Sequence, residues 1–232
     1  MTAKSILNLK SLKEQVYEYL RQQMHNGELH PGAVIHTERT SKILGISRTP
    51  LRDALLQLEM EGFVTIMPRS GVRVNELTLR DIKNSYEIIG ALESAAVAAA
   101  FPKLKIVHIR KMQEFNDRMR AAIDENDFSA YYRYNLAFHH VYLDLDGNER
   151  LTKIVENHKK RLYDFPRQQG FVKRWEEASI GEHQLLIDLI ERRRIEEAAQ
   201  YIRDVHWSYK VQEKYIREYY QQARSINEIG EK

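Results

Sequence analysis

The chain changes its hydrophobic rhythm about a third of the way along. Near the start, Leu12, Val16, Tyr17, Leu20 and Met24 recur at helical spacing, and Asn26-Gly27 supplies a stop. His30-Pro31-Gly32 reads as a turn. Thr37 is placed to cap a short helix through Leu44, which Gly45 ends. Ser47 is placed to cap the next helix, with Pro50 tolerated in its first turn. That helix carries Leu51, Ala54, Leu55 and Leu58 on one face and stops at Gly62. Phe63–Ile66 and Val72–Val74 read as two short strands, joined by Pro68-Arg69-Ser70-Gly71. This order of elements predicts a winged helix-turn-helix.

Beyond Gly71 punctuation nearly ceases and the apolar positions keep to a helical period. Helices are predicted over 79–100, 106–125, 128–145, 148–165, 173–191 and 194–220. No strand signal occurs there. The expected fold is mainly α: an N-terminal winged helix-turn-helix over 1–76, then an all-helical antiparallel bundle over 77–223. A polar tail over 224–232 is expected to be disordered.

Composition narrows the function classes. Apolar residues make up 43% and charged residues 30%, enough for real cores and for solubility. There is no cysteine, which excludes disulfides, thiolate metal sites and cysteine nucleophiles, and is compatible with a cytoplasmic location. The longest apolar run, Ala95 to Phe101, is far too short to span a bilayer, so no membrane partner is expected. A net charge of +3 permits nucleic-acid binding without arguing for it.

The placement of the charge says more than its sum. Between Thr37 and Arg52 the basic residues are Arg39, Lys42, Arg48 and Arg52, and Glu38 is the only acid. A helix starting at Ser47 turns its free N–H groups and positive dipole end outward, which suits phosphate. Arg48 and Arg52 lie four apart, on the face opposite Leu51, Leu55 and Leu58. Arginine forks onto guanine or clamps phosphate, and Thr49 offers a hydroxyl to a phosphate oxygen. At the hairpin tip Arg69 supplies a cation and Gly71 lets backbone approach closely. On charge alone, a merely solvated helical face is the better explanation of these residues.

The motif decides. The run Gly45-Ile46-Ser47-Arg48-Thr49-Pro50-Leu51-Arg52-Asp53-Ala54-Leu55, followed by Leu58-Glu59-x-Glu61-Gly62-Phe63-Val64, resembles the GntR family of bacterial regulators almost letter for letter. Gly27-x-x-x-Pro31-Gly32 and Arg69-Ser70-Gly71-Val72-Arg73-Val74 fit the same pattern. The resemblance implies a third helix in the major groove, with Arg48 and Arg52 its main contacts and Thr49 on phosphate. It puts Gly71 at a wing tip in the minor groove. Thr37 departs from the glutamate many relatives carry.

In the second half, histidine is the residue that bears chemistry. Asn135 and His139 share a helix face; His183 and His206 sit on the last two predicted helices, on either side of the Glu191-Arg192-Arg193-Arg194 turn. Three histidines from three helices, with an oxygen ligand, could hold a divalent transition metal. By spacing alone, satisfied core or surface histidines are the commoner explanation. Tyr86-x-x-x-x-Ala91-Leu92-Glu93, Asn135-x-x-x-His139, Gly147-Asn148, Gly181-Glu182-His183 and His206 resemble the FCD effector domain of the FadR-type branch of the GntR family. That resemblance implies Zn, Ni or Mn on His139, His183 and His206, with an organic acid bound beside it. Asn135 stands where the family usually has aspartate, and Ile89 where many relatives carry an arginine toward the effector. The metal itself, Arg161, Tyr132 or Tyr163 would then hold the acid.

The expected protein is a homodimeric transcriptional regulator, not an enzyme, that binds double-stranded operator DNA under control of a small metabolite. A metal-dependent enzyme using the histidines is the alternative. It lacks a metalloprotease motif and any other recognisable catalytic pattern.

Overall fold

A computed structural model describes residues 10–164 and 172–229 of the chain. Its contacts divide it into two compact units, Met1–Thr78 with Lys160–Gln169, and Leu79–Lys159 with Gly170–Lys232.

In the first unit, α1 (Leu12–His25) begins at Ser11 with a capping box. The Ser11 hydroxyl accepts from the Glu14 N–H, while the Glu14 carboxylate accepts from the Ser11 N–H at 2.7 Å. β1 (Val34–Ile35), α2 (Thr37–Leu44), α3 (Arg48–Met60), β2 (Val64–Met67) and β3 (Gly71–Val74) come next. The strands form an antiparallel sheet in the order β1-β3-β2, with Val34 opposite Arg73 and Thr65 opposite Arg73 on the other side. β1 escapes the sequence pattern because two residues cannot display alternation. Val16, Leu20 and Met24 of α1, Leu51, Leu55 and Leu58 of α3, Phe63 just before β2, and Ile35, Val64, Val72 and Val74 of the sheet form one core. The apolar positions of the sequence thus close a wing onto a helical trio.

Two caps differ from expectation. His36, not Thr37, is the N-cap of α2, and its side chain makes no capping bond. Ser47 does occupy the N-cap of α3 in extended conformation, yet its hydroxyl makes no capping bond either. The first turn of α3 therefore keeps its N–H groups open to an outside acceptor.

The second unit contains only helices among its described elements. They are α4 (Leu79–Ala100), α5 (Ile106–Asp124), α6 (Phe128–Asp146), α7 (Glu149–Asp164), α8 (Lys173–Glu191), α9 (Ile195–Tyr201) and α10 (Tyr209–Ile229), with a 3-10 turn at Phe101–Lys103. The end of one of them, α7 from Lys160 on, groups with the first unit. α5 packs on α6 and α8, and α4 packs on α6 and α9. The expected single helix after Arg194 is broken. A π-helical turn, Ile202–His206, succeeds α9, and the chain restarts at Tyr209. The tail expected over 224–232 is helical through Ile229, because Gln221, Gln222, Ala223 and Arg224 are good helix formers and no glycine intervenes before Gly230. Residues 230–232, and Phe165 at the expected end of α7, lie outside the described residues.

Candidate metal centre and nucleic-acid surface

The basic residues expected to meet nucleic acid lie at the surface of the first unit. Arg39 on α2 and Arg48, Thr49 and Arg52 in the first turns of α3 are all exposed. Arg48 is not unencumbered: its Nη2 lies 3.1 Å from Glu38 Oε1, and Lys42 lies 3.7 Å from the same oxygen. Both pairs are exposed and hence weak, so phosphate can compete for them. At the hairpin, Arg69 is exposed and takes a left-handed φ of 66°. Gly71 has φ 99°, and a Cβ there would meet the Ile35 carbonyl oxygen at 3.1 Å. Glycine is needed at this position both for its conformation and for the approach of β1.

The second unit brings the three histidines together. One ring nitrogen from each of His139, His183 and His206 lies within 4.8 Å of the others, and all three residues are buried. His139 comes from α6 and His183 from α8. His206 comes from the end of the π turn, which places it and Trp207, consecutive in sequence, into the same interior. Nε2 of His139 and Nε2 of His183 are 3.3 Å apart. Asn135, one turn before His139, is buried, and its Oδ1 has no hydrogen-bond partner.

Around the histidines runs a polar shell that sequence reasoning left without a role. Glu93 of α4 is fully buried. Its Oε2 accepts from Tyr142 Oη at 2.6 Å and from Trp207 Nε1 at 2.7 Å, and lies 2.9 Å from His139 Nδ1. Its Oε1 is 2.5 Å from the Lys159 ammonium, an ionic contact without hydrogen-bond alignment. Lys159 Nζ also lies 5.0 Å from the centre of the Trp207 ring. On the other side, Glu182 Oε2 is 2.8 Å from His206 Nδ1, and Gln212 donates to Glu182 Oε1 at 2.8 Å. The available signal was a glutamate within the apolar stripe of Ile89, Ala96, Val97 and Ala100 on α4.

Burial governs the charges. It pushes His139 down to about 3, against the opposing pull of Glu93, and His183 well below its ordinary range. Both imidazoles are therefore neutral at physiological pH, as metal ligands must be. Burial alone would raise the Glu93 carboxyl, but His139 and Lys159 beside it hold it well below the usual range. With His139 neutral, the opposing full charge is Lys159's. Burial pulls that ammonium down while Glu93 resists the shift.

The residues expected to meet an organic acid are spread out. Tyr132, on α6 one turn before Asn135, is half-buried, with its hydroxyl in the interior. Arg161 and Tyr163, in the last turn of α7, fall in the stretch that groups with the first unit, where the Arg161 guanidinium lies against Gly62. Ile89 is fully buried in α4, one turn before Glu93.

Residues 12–74 match the model of the bacterial regulatory proteins of the gntR family, and residues 84–206 match the FCD domain. The chain is 26% identical over 190 residues to the uncharacterized HTH-type transcriptional regulator YdhC of Bacillus subtilis, covering 81% of this chain and 84% of that protein. It is 31% identical over 128 residues to the HTH-type transcriptional regulator McbR of Escherichia coli, covering 55% and 58%. The solved structure of E. coli McbR/YncC superposes with a TM-score of 0.69 at 24% identity, covering 92% of this chain and 99% of that one, a likeness of fold. The family and these relatives are transcriptional regulators, not enzymes. No helix of the described residues is long and apolar enough to cross a membrane. This chain is a member of the GntR family, a DNA-binding transcriptional regulator whose winged helix-turn-helix precedes an FCD domain.

Proposed function

We propose that this regulator is a cytoplasmic homodimer whose operator affinity is set by an organic acid bound in the FCD domain beside a divalent transition metal. The observation that carries the reading is the cluster of three buried imidazoles beside the unpartnered Asn135 Oδ1. Buried polar atoms are normally paired, and an orphan oxygen one helical turn before His139 suits a missing cation. Three imidazole nitrogens and an amide oxygen favour Zn or Ni, with Mn less suited. His139, His183, His206 and Asn135 would hold the ion, which would supply a positive charge and open positions to an anion. Asn135 is neutral, so the site keeps more positive charge than one closed by a carboxylate. Tyr132, on the same helix as Asn135 and His139, is the proposed further contact of the acid.

On the DNA side, Arg48 and Arg52 read the major groove, Thr49 and Arg39 meet phosphate, and Arg69 with Gly71 brings the wing to the minor groove. The acid acts by preferring one arrangement of the two heads of a dimer. Two measurements test the reading. Metal analysis after mild chelation should find about one ion per chain in wild type and a marked loss in His183→Ala; equal metal in both discards the site. Sedimentation of the full chain at micromolar concentration should give a dimer, and a monomer discards the two-headed mechanism.

A further inference from the structure

The three histidines are not equivalent, and Glu93 makes the difference. An indole N–H only donates, so the Glu93 oxygen that meets Trp207 Nε1 at 2.7 Å must accept. The same oxygen takes the Tyr142 hydroxyl proton at 2.6 Å. It lies 2.9 Å from His139 Nδ1, while Tyr142 Oη lies 2.6 Å from that nitrogen. One arrangement of protons satisfies all four groups. Nδ1–H of His139 donates to the carboxylate and to the Tyr142 oxygen, whose own proton also goes to the carboxylate.

The other nitrogen of a neutral ring is then an acceptor. His139 Nε2 turns a lone pair toward His183 Nε2, 3.3 Å away, and toward the centre of the cluster. His183 lacks such an anchor: its Nδ1 is buried without a hydrogen-bond partner. Lys159 completes the device. It places a cation 2.5 Å from Glu93 Oε1, so the carboxylate can remain charged in the interior without a charged imidazole.

We infer that Glu93 is a positioning residue that holds His139 in the Nδ1–H form and so presents Nε2 as a ready ligand, with Lys159 as its countercharge. The inference rests on the metal reading only for its consequence, since the proton arrangement exists without an ion. Outer partners of ligating histidines fix ring orientation and raise ligand basicity, and their loss typically lowers metal affinity about 10- to 100-fold.

The test uses the full-length, metal-free protein with 15N-labelled histidine. The His139 resonances, assigned by their loss in His139→Gln, should report a proton on Nδ1 in wild type. In Glu93→Gln/Lys159→Met, which removes both buried charges together, the same ring should show a mixed or Nε2–H form. Zinc affinity, read by competition with a chromogenic chelator, should fall about 10- to 100-fold in that variant. A wild-type His139 protonated on Nε2 overturns the inference, as does unchanged zinc affinity in the folded double variant. The wild-type spectrum decides the proton arrangement even if the double variant does not fold. A wild type that shows Nδ1–H but never takes up zinc supports the positioning and overturns the metal reading instead.

Discussion

The DNA-binding surface and the histidine cluster use charge in opposite ways. On α2 and α3 the cations stand in water, where pairing is loose: Arg48 and Lys42 share Glu38 at the surface. Around His139 one buried carboxylate meets one buried ammonium, two hydrogen-bond donors and an imidazole, away from the surface. A surface of the first kind tolerates substitution and changes affinity for a partner. A shell of the second kind answers substitution of one partner with a large loss of stability, because an unpaired charge is stranded. The same carboxylate–cation pairing is a weak, competable contact in one place and a structural commitment in the other.

This contrast can be broken or sharpened by substitution. The largest effect is expected from Glu93→Ala, which leaves Lys159 buried and unpaired. It should cost about 3–5 kcal/mol in urea unfolding, and a loss below about 1 kcal/mol would erase the contrast. Arg52→Ala should leave helix content and stability unchanged while weakening binding to a mapped operator by about 1–3 kcal/mol. A mobility-shift titration showing wild-type affinity would remove Arg52 from the interface. Gly71→Ala forces an L side chain into φ 99° against the Ile35 carbonyl. It should destabilise the winged head by about 1–3 kcal/mol in thermal unfolding, and a neutral result would show that β1 yields easily. The smallest effect is expected from Glu38→Gln. Releasing Arg48 from a competing exposed carboxylate should tighten operator binding by less than about 1 kcal/mol, more clearly at low salt. Weaker binding would mean that Glu38 orients Arg48 for DNA instead of competing for it.

How much of this was legible depended on how local it was. The winged head lies within one contiguous stretch, so Leu12 to Val74 carried its helix starts, its stops and its wing in readable order. β1 was lost because its pairing with β3 is decided far along the chain, at the Val34–Arg73 register. The three histidines could be chosen by spacing and resemblance, since His139 and Asn135 are neighbours on one helix and His183 and His206 flank a turn. Their support could not. Glu93 meets Trp207 across 114 positions of sequence, and no period joins them. A glutamate inside an apolar stripe signals that something pairs with it, but not what. Thr37 was assigned the cap that His36 holds because threonine is the better capping residue. The π turn went unseen because π and α turns draw on the same residues.

That turn also makes the length of this segment a matter of counting. The Trp207 N–H bonds to the Ile202 carbonyl, five residues back, so the wide loop contains one residue more than an α-helical turn would. On most helix surfaces a one-residue deletion rotates the downstream residues by about 100° and repacking absorbs part of the change. Here a deletion within 202–206 would restore a regular helix and retract the surplus residue. His206 and Trp207 could then no longer serve opposite ends of the same carboxylate-and-imidazole network. The segment should accept many exchanges of residue and almost no change in their number.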